Sequence, residues 1–218
     1  LQLFNVAKKE VVDSKEIPKS WYGLKIASDN KTVYASGGND NVILVYTIEQ
    51  DKLVPTSKIS LSATPKAIIS PAGLEIDDAN KTLYVVTKDN NTLYAIDLVS
   101  QKVKESFPLP AEGYTCLLDK QKSILYISIW GGRKVLPFHT PTKKFLKAIS
   151  VGDHPNEMVL TKNGKYLFVA NANDNSVSVI ETAKGKEIEV LNAALYPNSL
   201  EGSSTNGIAL SEDEEKLY

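Results

Sequence analysis

The chain has 218 residues, of which 42% are hydrophobic and 23% are charged, so a buried globular core is expected. The formal net charge is −1 with both signs interspersed, which excludes the basic surface of a nucleic-acid-binding protein or of one that docks on anionic membranes. No apolar run approaches the ~20 residues of a membrane-spanning helix, and the single cysteine, Cys116, allows no internal disulfide.

Five copies of one sequence unit run through the chain, and each copy ends in an aromatic residue. The aromatic residue lies eleven positions after a small or polar residue in every copy, as Tyr34 does after Gly23. Successive aromatic residues are 50, 42, 42 and 50 positions apart, a spacing typical of a propeller or solenoid built from short strands. Their regular recurrence predicts packing between repeats for all five, Tyr34, Tyr84, Tyr126, Phe168 and Tyr218.

The elements can be assigned in chain order from alternating apolar residues and from β-branched and aromatic enrichment. Residues 1–6 and 10–17 are predicted as the third and fourth strands of a partial blade that covers residues 1–20. Four complete blades follow, at about 21–61, 72–109, 113–150 and 155–191. Residues 207–210 and 216–218 are predicted as the first two strands of a second partial blade, 206–218.

The strand pattern is clearest in the fourth complete blade. Its four predicted strands are residues 157–160, 166–171, 176–180 and 187–191. Asn163-Gly164 lies between the first two, and this dipeptide favours a tight hairpin turn. The predicted fold is therefore an all-β propeller of four-stranded antiparallel blades with almost no helix.

The two partial blades allow two closures of the ring. Either they join and complete a five-bladed ring, or the chain is a segment of a larger ring. We expect the segment, because the strand that holds Tyr218 continues in every earlier copy. The first residues also lack an initiator Met and a signal layout, so we expect that a targeting peptide has been left out.

Loop lengths predict one functional face. Each 50-residue spacing contains about eight extra residues, within 62–71 and 192–205, between a fourth strand and the next first strand. Because propeller strands alternate in direction, these connections emerge on the same face as the turns between second and third strands. Binding is usually carried by longer loops gathered in this way.

Several residues of this face depart from the repeat. Trp21, Tyr22, Tyr114 and Trp130 lie near the predicted channel mouth, where a carbohydrate or peptide would stack on them. Local packing beneath the loops is the alternative. The complete candidate binding face is Trp21, Tyr22, Tyr114, Trp130, Arg133, His154, Asn156, Glu157 and Asn206.

No catalytic, cofactor or metal residue is predicted. Each Asn/Asp-rich turn holds one Asp, fewer than a calcium loop uses, and hairpin chemistry accounts for these residues. His154 precedes Pro155, and Glu157 follows three positions after the histidine, yet an isolated His-Pro turn is more often structural. Nucleophile, phosphate-loop and paired-cysteine motifs are absent from the sequence.

The fourth repeat resembles the bacterial YVTN-type β-propeller family. Residues 165–171 (KYLFVAN) and 175–182 (NSVSVIET) match its repeat, and residues 151–156 (VGDHPN) match its connection between blades. The third repeat departs from the pattern at residues 128–132 (SIWGG). A narrower resemblance, at 20–23, 36–41 and 196–202, is to exported proteins in which a seven-bladed propeller precedes an alkaline-phosphatase-superfamily domain.

The resemblance implies part of a seven-bladed propeller in the periplasm or on the cell surface, with a phosphatase-like domain in the full-length chain. We expect a noncatalytic module that recognises an unidentified protein, peptide or glycan. A channel-centred enzyme of the lactonase or redox type is the alternative. Only one of the five matching first-strand positions is ionisable, which argues against the enzyme; these positions are Gly23, Gly73, Thr115, Glu157 and Gly207.

Overall fold

The computed structural model describes residues 1–20, 22–64, 66–194, 196, 200 and 205–218. Within these residues the regular structure is β-strand, apart from two short 3₁₀ helices, Gly38–Asp40 and Trp130–Gly132. This composition confirms the all-β prediction. The chain divides into two compact units, Leu1–Pro108 and Leu109–Tyr218, and the division falls one residue before the end of the predicted blade 72–109.

The first unit contains one hairpin and two four-stranded antiparallel sheets. The hairpin pairs β1 (Gln2–Asn5) with β2 (Glu10–Ser14), so β2 ends three residues before the predicted end of that strand. The first sheet is β3 (Leu24–Ile26), β4 (Thr32–Ser36), β5 (Val42–Glu49) and β6 (Lys52–Ser60). The second is β7 (Pro71–Asp77), β8 (Thr82–Thr87), β9 (Thr92–Asp97) and β10 (Lys102–Pro108).

The second unit repeats this arrangement. Its first sheet is β11 (Gly113–Asp119), β12 (Ile124–Ile129), β13 (Lys134–His139) and a divided fourth strand, β14 (Lys144–Phe145) and β15 (Ile149–Ser150). The next is β16 (Pro155–Leu160), β17 (Tyr166–Asn171), β18 (Ser176–Glu181) and β19 (Lys186–Asn192). Beyond them, the Ala209 and Tyr218 backbones exchange two hydrogen bonds around an isolated bridge between Leu210 and Leu217, where the structure has no continuous strand at the predicted positions 207–210 and 216–218.

The first strand of three blades carries the same β-bulge. In β16, Asn156 and Glu157 together oppose the single residue Ala170 of β17. The register shifts at the equivalent place in β7 and β11, where the bulged pairs are Ala72-Gly73 and Tyr114-Thr115. A bulge of this kind changes the direction of side chains. It therefore sets the orientation of three candidate binding residues, Tyr114, Asn156 and Glu157.

Hydrophobic packing joins neighbouring blades within each unit. Tyr34 packs in a buried cluster with Leu74 and Leu83 of the next blade, and Tyr126 packs with Met158 and Leu167 of its next blade. Tyr84 is buried as well. Tyr34 and Tyr126 confirm the predicted packing between repeats. Two rings depart from it, because Phe168 is half-buried and Tyr218 is 72% exposed.

Candidate binding surface

The turns between second and third strands end in a residue with a left-handed backbone. Three of these residues are asparagine, and the fourth is Arg133; their φ values are +57° at Asn41, +48° at Asn91, +51° at Arg133 and +47° at Asn175. Asparagine is the side chain other than glycine that best tolerates this conformation. Arg133 therefore occupies a position that the fold otherwise gives to asparagine.

Two of these asparagines fasten the long connections. Asn41 accepts hydrogen bonds from the backbone N–H groups of Ile69 and Ser70 and donates one to the Ala67 carbonyl. Asn175 donates to the Leu200 carbonyl at 2.8 Å, although most of the second long connection lies outside the described residues. Each bond joins a second-to-third turn to a fourth-to-first connection. This confirms, within each unit, that these two kinds of loop share a face.

In the second unit, the same two kinds of loop bring six side chains together. We call this group the loop cluster; its members are Trp130, Arg133, Asp153, His154, Asn173 and Asp174. The Arg133 guanidinium lies between two carboxylates, with Nε 3.9 Å from Asp153 Oδ1 and Nη2 3.7 Å from Asp174 Oδ2. Both separations exceed hydrogen-bonding distance, and the arginine side chain is 63% exposed.

His154 is the most constrained side chain of the loop cluster. Its Nδ1 atom lies 3.0 Å from Asp153 Oδ1 and 2.9 Å from the Asn173 amide. The imidazole meets the Trp130 ring edge to face, with centroids 4.2 Å apart and planes at 86°. His154 also has a left-handed backbone, with φ of +52°, and its carbonyl accepts a hydrogen bond from Ala172. The ring is therefore held between an aromatic face and a carboxylate.

The charges of the loop cluster are interdependent. Burial by itself raises the pKa of Asp153. The hydrogen bond from His154 and the charges of His154 and Arg133 together lower this pKa by more than burial raises it. The pKa of Asp153 therefore lies below its usual value of 3.8. The loop cluster therefore places two carboxyl groups, one guanidinium and one imidazole beside an indole ring.

The buried side-chain amide of Asn171 lies beneath the loop cluster. Asn171 is fully buried, and its Nδ2 donates to Ser176 Oγ at 3.0 Å and to Ser178 Oγ at 2.9 Å. Gly152 lies directly against it, because a Cβ atom at Gly152 would stand 2.5 Å from both Asn171 Cγ and Asp174 Oδ2. The glycine thus allows a close approach between the connection and the strand below it.

A second group lies at the bulges of successive first strands. We call it the bulge cluster; its members are Tyr114, Asn156, Glu157 and Asn206. Asn156 Nδ2 donates to Asn206 Oδ1, and Asn206 in turn hydrogen-bonds to the Tyr114 phenol. Burial, followed by the negative charge of Glu157, raises the pKa of Tyr114. Asn156 is only 5% exposed, and its Oδ1 atom is buried without a hydrogen-bond partner among the described residues.

The structure therefore separates most of the predicted face into two groups. Trp130, Arg133 and His154 belong to the loop cluster, and four other candidates form the bulge cluster. Tyr22 is half-buried in the first unit, and Trp21 lies outside the described residues.

Sequence reasoning missed Asp153, Asn173 and Asp174, which surround Arg133 and His154. One signal was available: Arg133 is the only arginine among the 25 lysine and arginine residues of the chain. A single arginine at a turn position that is asparagine in other blades indicates that this position is needed for more than forming the turn.

Two negative findings apply to the described part of the chain. No group of three or more His, Cys, Asp or Glu side chains there is placed to hold a metal ion. No helix there combines the length and apolar character needed to cross a membrane.

Comparisons with known proteins support the fold. No protein-family model matches the chain, and no curated protein matches it. Hydrazine synthase of Kuenenia stuttgartiensis is similar, with a TM-score of 0.76 and 13% identity, over 93% of this chain and 55% of that chain. A functionally unknown protein from Desulfotomaculum acetoxidans DSM 771 is also similar, with a TM-score of 0.78 and 15% identity, over 99% of this chain and 67% of that chain.

At these identities the likeness shows the fold alone. Together with the four-stranded antiparallel blades, it shows that the chain has the β-propeller fold. The chain spans about half the length of the hydrazine synthase chain that it matches.

Proposed function

We propose that this chain is a noncatalytic β-propeller that recognises a polar ligand through the loop cluster. The main observation behind the proposal is the environment of the Arg133 side chain. Its guanidinium is held by the charges of Asp153 and Asp174, is 63% exposed, and donates no hydrogen bond within the described residues. A planar guanidinium in this state offers several N–H groups in fixed directions to an acceptor on a ligand.

The aromatic ring beside this donor indicates the kind of ligand. Trp130 supplies an apolar surface, and Arg133, His154 and the two carboxylates supply polar groups around it. Sugar rings and peptide groups combine an apolar face with hydrogen-bonding edges, and tryptophan and arginine are enriched among the residues that dominate binding at protein interfaces. The ligand is therefore a glycan or a peptide.

We also infer membership of the YVTN-type propellers, with seven blades, export to the periplasm or cell surface, and a phosphatase-like domain in the full-length chain. The support is the sequence resemblance of residues 165–171 and 175–182. The contacts of Asn171 add a physical reason for that motif. This asparagine ends the first segment, and its amide bonds to two serines of the second.

A channel-centred enzyme has less support. Its chemistry would need acidic groups together with histidine or arginine converging from several first strands. The bulge cluster, which gathers residues of three successive repeats, contains one carboxylate, two amides and one phenol. Such a set suits binding better than hydrolysis or redox chemistry.

Glycan and peptide arrays probed with the intact chain test the proposal. We expect binding on one array, reduced at least tenfold by Trp130→Ala and by His154→Ala. The matched control is His139→Ala, because the only other histidine lies at the far end of β13 and contacts Thr142 instead. Equal binding by all three variants would remove the loop cluster as the recognition surface.

A further inference from the structure

We propose that the loop cluster binds an uncharged saccharide through two neighbouring hydroxyl groups, which lie along one edge of the Arg133 guanidinium. The inference rests on the proposed function, because it concerns the same surface, and it deepens that function by deciding between a glycan and a peptide. Its basis is the pair of gaps that separate Arg133 from its two carboxylate neighbours, Asp153 and Asp174.

The two nitrogen atoms that face these carboxylates belong to the same edge of the guanidinium. Nε lies 3.9 Å from Asp153 Oδ1, and Nη2 lies 3.7 Å from Asp174 Oδ2. The N–H groups on these two nitrogens point in nearly parallel directions, and for this reason arginine binds two adjacent oxygen atoms at once. The Arg133 side chain is 63% exposed and donates no hydrogen bond within the described residues, so both donors are available to a ligand.

Each gap is too wide for a direct hydrogen bond but suits one bridging oxygen atom. Hydrogen bonds span about 2.7–3.2 Å, so an oxygen set beside a gap of 3.7 or 3.9 Å reaches both the guanidinium nitrogen and the carboxylate oxygen. That oxygen must accept from Arg133 and donate to a carboxylate. A hydroxyl group does both, whereas a carboxylate oxygen only accepts. A diol would displace two bridging waters while keeping their hydrogen bonds.

The groups around the gaps disfavour ionic and peptide ligands. The pKa of Asp153 is below its usual value of 3.8, so at neutral pH its negative charge repels an anion placed beside Arg133. A cation would be repelled by Arg133 itself. A trans peptide group carries its N–H and C=O on opposite sides, so it cannot present two adjacent groups that each donate and accept. Two neighbouring hydroxyls of a sugar ring meet this requirement without a charge.

Trp130 supplies a surface for the sugar ring itself. It lies three residues before Arg133 in the same turn, and its indole contacts the imidazole of His154, which follows Asp153 in the chain. The carbon-bound hydrogens of a sugar ring form an apolar face, and aromatic side chains offer a large apolar surface for such a face. The indole and the guanidinium therefore bind different parts of one sugar.

Glycan arrays in two copies test the inference on the intact chain. One copy is oxidised with periodate, which cleaves the carbon–carbon bond between neighbouring hydroxyls, and is then reduced with borohydride. We expect uncharged glycans to bind on the untreated copy and to lose at least about tenfold of the signal on the oxidised copy, because the two hydroxyls no longer adjoin.

Arg133→Lys is the variant matched to this test, because it keeps the positive charge and removes the parallel pair of N–H groups. We expect it to reduce binding on the untreated copy at least about tenfold. Lysine already has the same left-handed backbone at Lys81, so the variant should fold, and its melting temperature measures this. His139→Ala is the control and should leave the signal unchanged.

The possible outcomes distinguish this inference from the proposed function. Binding that survives periodate oxidation, binding that Arg133→Lys leaves unchanged, or a preference for sulfated or carboxylated glycans would overturn the inference. Peptide binding that Trp130→Ala abolishes would also overturn it, while the proposed function would stand. Absence of binding on every array would overturn both.

Discussion

Gly152→Ala tests whether the loop cluster depends on the close packing beneath it. A Cβ atom at Gly152 would lie 2.5 Å from Asn171 Cγ and from Asp174 Oδ2, and separations under 3.0 Å essentially never occur. The backbone of Gly152 is outside the left-handed region, so the cost of the substitution is steric. Asn171 must shift and weaken its bonds to Ser176 and Ser178, each with a net contribution of about 1 kcal/mol. With overpacking included, we expect a destabilisation of about 2–3 kcal/mol.

Thermal denaturation measures this effect directly. For a chain of this size, a loss of about 2–3 kcal/mol lowers Tm by roughly 4–12 °C. The control is Gly207→Ala, because a Cβ atom at Gly207 meets nothing within 4 Å and its backbone is also outside the left-handed region. We expect the control to stay within about 0.5 kcal/mol of the wild type. If the two variants melt within about 1 °C of each other, less than the shift expected for 1 kcal/mol, the packing argument is wrong.

Three further predictions concern charges and the strained turn. Glu157→Gln should lower the pKa of Tyr114, because it removes a negative charge that raises this pKa, and phenolate absorbance during titration would detect the change. The folded pKa of Asp153 is depressed, so its stabilisation is present above its usual pKa of 3.8 and is lost as pH falls through the lower folded value. The difference in unfolding free energy between wild type and Asp153→Asn should therefore be larger at about pH 6 than at about pH 3, and a constant difference would contradict this. Arg133→Asn should raise stability by about 0.5–1 kcal/mol, since asparagine suits the left-handed turn, while array binding falls; a loss of both stability and binding would argue that Arg133 is structural.

Strand positions were predictable where local sequence decides them. β17 has the predicted bounds, and β18 is one residue longer than predicted, because alternation and β-branched residues define both. The turn before β17 also forms as expected, with φ of +65° at Gly164.

The divided fourth strand of the third blade was not predicted, because its cause lies in the neighbouring strand. The backbone of Pro137 faces this fourth strand, since its carbonyl accepts a hydrogen bond from the Leu146 N–H. Because proline has no backbone N–H group, it cannot donate the hydrogen bond that would continue the ladder at this point. Pairing stops after Phe145 and resumes at Ile149 with the register shifted by one residue.

The sequence predicted which candidate residues share a face better than it predicted which of them contact each other. The alternation of strand direction located Trp130, Arg133 and His154 together, since topology alone fixes which loops share a face. Topology also places the turn that holds Asp174 on this face, but it does not predict the contact of Asp174 with the connection, which depends on a hydrogen bond from the Asp153 backbone, 21 residues earlier in the chain. The bulge cluster needed the register shift in β16, and no single-sequence pattern specifies a two-against-one pairing.

The left-handed positions connect the fold to the proposed function. In the first unit Asn41 and Ser70 have left-handed backbones, and Asn41 bonds to the Ser70 backbone, so the two positions fasten a loop. The equivalent residues of the second unit are Arg133 and His154, which keep the backbone conformation but direct their side chains to Asp153. Backbone hydrogen bonds from Val151 and Ala172 hold both residues in place. Arg133 keeps a left-handed backbone at a cost of about 1 kcal/mol although its side chain makes no hydrogen bond that fastens a loop, which is what the proposed binding role predicts.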